Sequence, residues 1–353
     1  MKTTRKKIKF YVALQGNRKP KDYIHLAKAI EKMGYDRIYV YDDLMFYSST
    51  QILTLIAEHT EKIELGPCLL NGIYRHPAII SQEAVFLNEI SKKRSVLGMG
   101  RGAFFDFYNL KESENHTREL AEETIMQVKR LLNNQKEVLS GKYFKATEKA
   151  FLRIENIDNK IPIVVGTWNE KMAEIAGEHA EELQTANVWN MEYLKKLKTS
   201  LIIGAARSVS SSDKKISIGG MACISNNTEK AYLEAKKTIS VYIPYLSKLL
   251  EKQGFDVQNE YFTNLFNYSK HGNYQMCCEM LTNEVVDSIS LVGTPENIVN
   301  KIENIRQNIE IEGIMFSPPY GIESIEENLE FLMENVVKKI NSESIENKKV
   351  GLK

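Results

Sequence analysis

Short runs of β-forming residues alternate with amphipathic helical stretches along almost the whole chain, and this alternation limits the available folds more than any other feature. The β-rich runs fall at residues 8–14, 36–41, 63–70, 94–100, 161–166, 182–186, 215–223 and 311–317. Helical stretches follow at 20–34, 51–59, 77–90, 117–139, 171–177, 192–206, 229–250 and 324–340, with a further helix at 295–308. In the first helix Tyr23, Leu26, Ala27, Ile30 and Met33 recur at helical spacing, with Pro20 at the start and Gly34 at the stop. Strands that alternate with helices form a parallel sheet. Eight such pairs predict a closed (β/α)8 TIM barrel, which typically needs about 250 residues. The excess over that length is placed in insertions at 140–160 and 252–290. A doubly wound open sheet is the competing fold, but it uses fewer strands. No composition break resembles a linker, so 1–340 reads as a single domain followed by a polar tail at 341–353.

Charge narrows the partners. Forty-seven Lys and Arg face 46 Asp and Glu, a formal net charge of +1. That balance provides no long-range field for nucleic acid or an anionic membrane. No apolar run reaches the ~20 residues of a bilayer span. The basic residues 1–7 lead into a short run containing Lys9, which reads as a buried first strand rather than a signal peptide. Cys68, Cys223, Cys277 and Cys278 show neither C-x-x-C nor metal-ligand spacing. A cytoplasmic protein without a metal site is therefore expected, with Cys277 and Cys278 packed in an insertion helix.

In a barrel of this class the chemistry sits at the C-terminal ends of the strands. Strand two is followed by Asp42 and Asp43, and strand three by residues 71–77, which include Arg75 and His76. Gly98, Gly100, Arg101 and Gly102 follow strand four, Thr167, Trp168 and Asn169 strand five, Ala186 and Asn187 strand six, and Cys223 strand seven. Each has two readings. The aspartates can meet a polar ring edge or transfer a proton, or cap a helix. His76 can act as a general acid or cap the helix that begins at Pro77. Trp168 can lie against a ligand or cover the barrel rim. The glycines can admit a ligand close to the backbone or simply form a tight strand exit. No G-x-S-x-G, H-E-x-x-H or P-loop occurs, so the chemistry is assigned to an organic cofactor.

The segment 65–72 (LGPCLLNG) followed by Arg75-His76-Pro77-Ala78 resembles the third-strand motif of luciferase-like flavin and deazaflavin oxidoreductases. Within that superfamily it is most similar to the F420-dependent methylenetetrahydromethanopterin reductases. Further matches lie at 97–102 (LGMGRG), 161–163 (IPI), 171–178, 292–296 (VGTPE) and 317–319 (SPP). The resemblance implies a TIM barrel that binds coenzyme F420, with FMN as the alternative. It implies a non-prolyl cis peptide at Cys68–Leu69 backing the ring, with Leu70, Gly100 and Gly102 nearby and Asp42 at the ring's polar edge. Thr167, Trp168, Asn169, Ala186, Asn187 and Cys223 would meet the cofactor phosphate.

Two family carboxylates are replaced here, by Ala13 on strand one and by Ala103 after the glycine stretch. The first-strand exit at 14–17 and the aromatic run at 104–108 therefore point to a different, larger or less charged substrate. The expected activity is an F420H2-dependent reductase acting on an activated C=C or C=N bond of a small-molecule or peptide-derived substrate, with Asp43 and His76 as candidates for proton handling. The alternatives are an FMN-dependent monooxygenase and a cofactor-binding barrel without turnover. Family likeness also implies a homodimer.

Overall fold

The computed structural model describes residues 7–109, 117–154, 160–208 and 213–342. Most of the expected tail, 343–353, lies outside them. In chain order the elements are β1 (Lys9–Leu14), α1 (Pro20–Met33), β2 (Arg37–Tyr41), α2 (Ser49–His59), β3 (Glu64–Cys68), α3 (Pro77–Ile90), β4 (Leu97–Gly100) and α4 (Thr117–Leu132). Then follow β5 (Ile163–Gly166), α5 (Glu170–His179), β6 (Glu182–Ala186), α6 (Met191–Ala205), β7 (Lys215–Ile224), α7 (Thr228–Tyr242) and α8 (Ser247–Lys252). The last part holds α9 (Glu260–Lys270), α10 (Tyr274–Met280), α11 (Asn283–Ile289), β8 (Leu291–Gly293), α12 (Pro295–Asn308), β9 (Gly313–Gly321) and α13 (Ile325–Leu332). The nine strands belong to one parallel sheet, and the fold is the (β/α)8 TIM barrel that the alternation predicts.

The chain divides into two compact units. One contains Ala13–Gln184 and Thr199–Lys215, as far as these are described. In it β2 pairs with β3 from Arg37↔Glu64 to Tyr41↔Cys68, and bridges at Leu65↔Ser95 and Leu70↔Met99 carry the sheet to β4. β4 continues to β5 and β5 to β6. Ile38, Val40, Leu65, Leu97, Val164 and Leu183 are buried in this sheet. Arg37 is also buried, where it meets Glu182 at 3.1 Å, Glu64 at 2.7 Å and the Tyr39 hydroxyl at 2.6 Å. A charge taken from water needs such partners.

The other unit holds the described residues up to Val12, Thr185–Lys198 and those from Ile216 onward. There β9 lies between β1 and β7, and β8 pairs with β7 at Leu291↔Ala222. The β9–β7 register slips between Ser317 and Tyr320, where the Pro318–Pro319 bond is cis.

Four details depart from the sequence reading. The helix expected over 117–139 stops at Leu132, because Asn134 takes the left-handed conformation (φ 51°) that asparagine tolerates better than most residues. The helix expected over 229–250 breaks after Tyr242, where Pro244 has no N–H to continue the ladder, and a short turn at Ile243–Leu246 leads into α8. β3 ends at Cys68 rather than at residue 70. β8 went unrecognised because three residues carry no period. Cys277 and Cys278 do lie in a helix of the second insertion, α10.

Candidate active site

The exits of β1 to β4 build the best-defined group of polar side chains. Asp42 follows β2, and its Oδ1 accepts from the backbone N–H of Ser49 at 3.1 Å and from the Ser49 hydroxyl at 2.8 Å. Arg75, from the β3 exit, grips both oxygens of the same carboxylate, and its guanidinium also donates to Ser48 and lies 3.5 Å from Glu83. Such a bidentate pair fixes direction as well as charge. Asp42 thus ties the start of α2 to the β3 exit. Of its two sequence readings, the structure displays the anchoring one.

Asp43 sits differently. Its Oδ1 accepts from the Gln15 side-chain amide at 2.7 Å. Gln15 is itself steadied by the Tyr23 hydroxyl, which donates to the Gln15 carbonyl at 2.7 Å and accepts from the N–H of Arg18. Burial pushes the Asp43 carboxyl up to about 6, the charge of Asp42 adds to the rise, and the Gln15 hydrogen bond opposes it. The Cys68 thiol is held far above its ordinary value by burial and by the Asp43 charge, so it is no nucleophile.

The Cys68–Leu69 peptide is cis, as the resemblance implied. Cys68 still accepts from the Asp42 N–H on the β2 side, whereas Leu70 bonds in both directions with Gly98 and Gly100 on the β4 side. Leu69 therefore lies where β3 passes from one neighbour to the other. Its side chain occupies the space that side chains on β4 and β5 would take. A Cβ on Gly166 would stand 2.1 Å from Leu69 Cδ1, and one on Gly100 2.8 Å from the same atom. Here the Leu69 side chain packs directly on the backbone of Gly100 and Gly166.

The remaining candidates have structural work. His76 is exposed, its Nδ1 accepts from the N–H of Ala78 at the start of α3, and its ring meets Phe144 edge-on. Asn169 caps α5 by accepting from the N–H groups of Lys171 and Met172, so those amides are engaged, and Thr167 Oγ1 accepts from the Asn169 N–H. Trp168 is half-buried between them. Gly102 (φ 94°) leaves room for the buried Asn71, whose side chain closes the turn at Ile73 and Tyr74. In the other unit, Asn187 (φ 61°) accepts from the N–H of Met221 with Oδ1, against Gly220, where any Cβ would lie 2.2 Å from that oxygen. Ala186 ends β6. Cys223 is buried in the sheet, and burial pushes its thiol up to about 12.

Sequence reasoning took Gln15 only as part of the first-strand exit and Arg75 only as part of the third-strand motif, with no individual role for either. Gln15 was visible as the first polar residue after β1, the same strand-end logic that found Asp43. Nothing in the chain announces that Arg75 reaches back 33 residues to Asp42.

A sequence profile described as luciferase-like monooxygenase matches residues 8–311. The chain is 27% identical over 318 residues to 5,10-methylenetetrahydromethanopterin reductase of Methanopyrus kandleri, covering 84% of this chain and 89% of that protein. Among solved structures, the coenzyme F420-dependent tetrahydromethanopterin reductase of the same organism superposes with a TM-score of 0.79 at 23% identity, over 95% of this chain and 100% of that one. An F420-dependent secondary alcohol dehydrogenase in complex with an F420–acetone adduct gives 0.74 at 18% identity, over 94% and 98%.

Proposed function

Because the chain belongs to the luciferase-like monooxygenase family, we propose that it is an oxidoreductase of that family's F420-using branch, reducing an activated C=C or C=N bond. The observation that carries this reading is the end-to-end likeness to a methylenetetrahydromethanopterin reductase. The residues present fit a deazaflavin. The Leu69 side chain, packed on the backbone of Gly100 and Gly166, offers a ring an apolar surface, and Asp43 with Gln15 offers polar partners at its edge. When bound, reduced F420 supplies a hydride from C5 to one carbon of the double bond. The other atom of that bond takes a proton, so that hydride and proton together saturate it.

Asp43 is the group we assign to that proton, since a carboxyl near 6 keeps a useful protonated fraction close to neutral pH. Gln15 is a positioning residue that fixes the rotamer of Asp43. Asp42 and Arg75 hold the β2 and β3 exits in place, Leu69, Leu70, Gly100 and Gly102 shape the ring wall, and Cys68 fills the space behind it. We assign Thr167, Trp168, Asn169, Ala186, Asn187 and Cys223 to the surroundings of the cofactor's phosphate. His76 remains a second candidate for proton handling at the α3 terminus. A single catalytic domain over 1–340, a homodimer and a cytoplasmic location complete the proposal. Among the described residues no helix is long and apolar enough to cross a membrane.

Titration of F420 with the purified protein tests the reading. Quenching of F420 fluorescence with saturation in the micromolar range is the expected result. No quenching, together with FMN retained through purification, would overturn it in favour of a flavin monooxygenase.

A further inference from the structure

We infer that the side-chain amide of Asn71 donates a hydrogen bond to the phenolic oxygen at position 8 of the deazaflavin, and so makes this site select F420 over FMN; the inference rests on the reductase reading above and adds the residue that separates the two cofactors. Asn71 follows β3 and is 2% exposed. Its Oδ1 accepts from the N–H groups of Ile73 and Tyr74, both at 3.1 Å. Those two donors settle which way the amide points, so Nδ2 faces away from the turn. Among the described residues no group accepts from Nδ2. An amide donor on a buried side chain is costly to leave unpaired, and it is satisfied once water or a ligand takes the bond.

Strand register places that amide. Leu70 donates to the Gly98 carbonyl and accepts from the Gly100 N–H, so the chain is still paired with β4 at this point. Successive side chains along a paired strand point to opposite faces, so Leu69 and Asn71 share one face and Leu70 has the other. The glycines of the β4 exit repeat the pattern. A Cβ on Gly100 would stand 2.8 Å from Leu69 Cδ1, and one on Gly102 would stand 3.2 Å from Asn71 Cγ and 3.3 Å from Nδ2. Asn71 is therefore the next step above Leu69, nearer the strand ends. Gly102 has φ 94°, a conformation that L side chains rarely adopt, so no side chain at that position covers the amide. Buried Phe105 closes the far flank, with Cε1 3.2 Å from the same Cβ position. A donor held in this way, with little water around it, is preorganised for an acceptor.

Sheet order decides which end of the cofactor arrives there. Gln15 and Asp43 stand at the exits of β1 and β2, Leu69 follows β3, and Asn71 lies against the exit of β4. β2 and β4 flank β3, two strand spacings or roughly 10 Å apart, which is comparable with the length of three fused six-membered rings. A deazaflavin that rests on Leu69 with its polar edge at Asp43 brings its opposite, phenolic end to Asn71. F420 carries a hydroxyl at that end, and its anion is the stronger acceptor. FMN carries a methyl group at the same ring position, which leaves Nδ2 facing a group that cannot accept.

The test compares the parent protein with Asn71→Asp and Asn71→Ser. Both substitutes keep an oxygen that can close the turn, and neither keeps the amide donor. Fluorescence titration gives the affinity for F420, and an absorbance titration of the saturated complex gives the pH at which the bound 8-hydroxyl ionises. F420 should bind at least about tenfold more weakly to both variants at pH 8, and the bound hydroxyl should ionise about one pH unit higher, because the parent amide favours the anion. Affinity for FMN should not fall. Melting temperatures close to the parent's check that the turn is intact, and the serine variant carries the test if the aspartate variant melts early. Unchanged F420 affinity, an ionisation that does not move, or equal losses of F420 and FMN affinity would each overturn the inference while the reductase reading stands. A parent protein that fails to quench F420 would defeat both.

Discussion

Asp43→Asn should make the protein more stable at pH 8 while abolishing its reaction. Folding raises the Asp43 carboxyl from 3.8 to about 6, mainly by burial. A carboxyl raised on folding binds more protons in the native state than in the unfolded chain. Stability is then favoured below the unfolded value and falls as pH rises through the folded one. Full conversion corresponds to about 3 kcal/mol of penalty for an ionised Asp43 above pH 7. Partial access of water lowers that to about 1–3 kcal/mol. Asparagine removes the charge yet keeps an oxygen for the Gln15 amide, which lies 2.7 Å from Oδ1. Urea unfolding of both proteins at pH 4, 6 and 8 is the assay. The variant's advantage should be small at pH 4, already most of its full size at pH 6 and full at pH 8, because the penalty develops between the unfolded and folded values, whereas F420H2 oxidation should be lost throughout. A variant less stable than the parent at pH 8, or an advantage that does not change with pH, would refute the burial argument. Stability gained where activity is lost is the expected trade at a site that holds a group against its preference.

Gly166→Ala should cost about 1–3 kcal/mol by overpacking against Leu69 Cδ1, 2.1 Å from the new Cβ. Adding Leu69→Ala should recover part of that loss in a double-mutant cycle read by thermal melts. Arg37→Met should destabilise by about 3–5 kcal/mol, since Glu182 is left buried without its 3.1 Å partner; a loss under about 1 kcal/mol would mean that water reaches this pair. Asn169→Asp should keep the α5 cap and the melting temperature, because aspartate caps as well as asparagine. If Asn169 lies beside the cofactor phosphate, the added charge should weaken F420 binding about tenfold at low salt, and less at high salt. Unchanged quenching curves would remove Asn169 from the cofactor site.

The strands and helices were legible because periodicity is local. β2, β6 and β7 begin within a residue of their expected positions, and Pro20 and Pro77 open their helices as expected. The misjudged ends have local causes that pattern counting overlooks, Pro244 inside a helical run and Asn134 in a left-handed turn. Site chemistry was only half legible. Asp42 and Asp43 are neighbours of one residue type, and no property of the pair in isolation separates their roles. Ser49 and Arg75 claim one of them, and Gln15 with burial shapes the other. His76 and Asn169 illustrate the converse, for their capping contacts lie within three residues and were foreseeable from Pro77 and from the helix that follows.

The amino-acid order alone determined the alternation of strand and helix, hence the barrel class, since that follows from residue preferences over a few positions. It also determined the near-zero charge and the lack of a metal-binding pattern. Only the tertiary structure separated the two aspartates, binding Asp42 to Arg75 and Ser49 and burying Asp43 beside Gln15. It likewise decided that Gly100 and Gly166 make room for Leu69. Burial and pairing at a distance set those properties, and both exist only once residues tens of positions apart have been brought together.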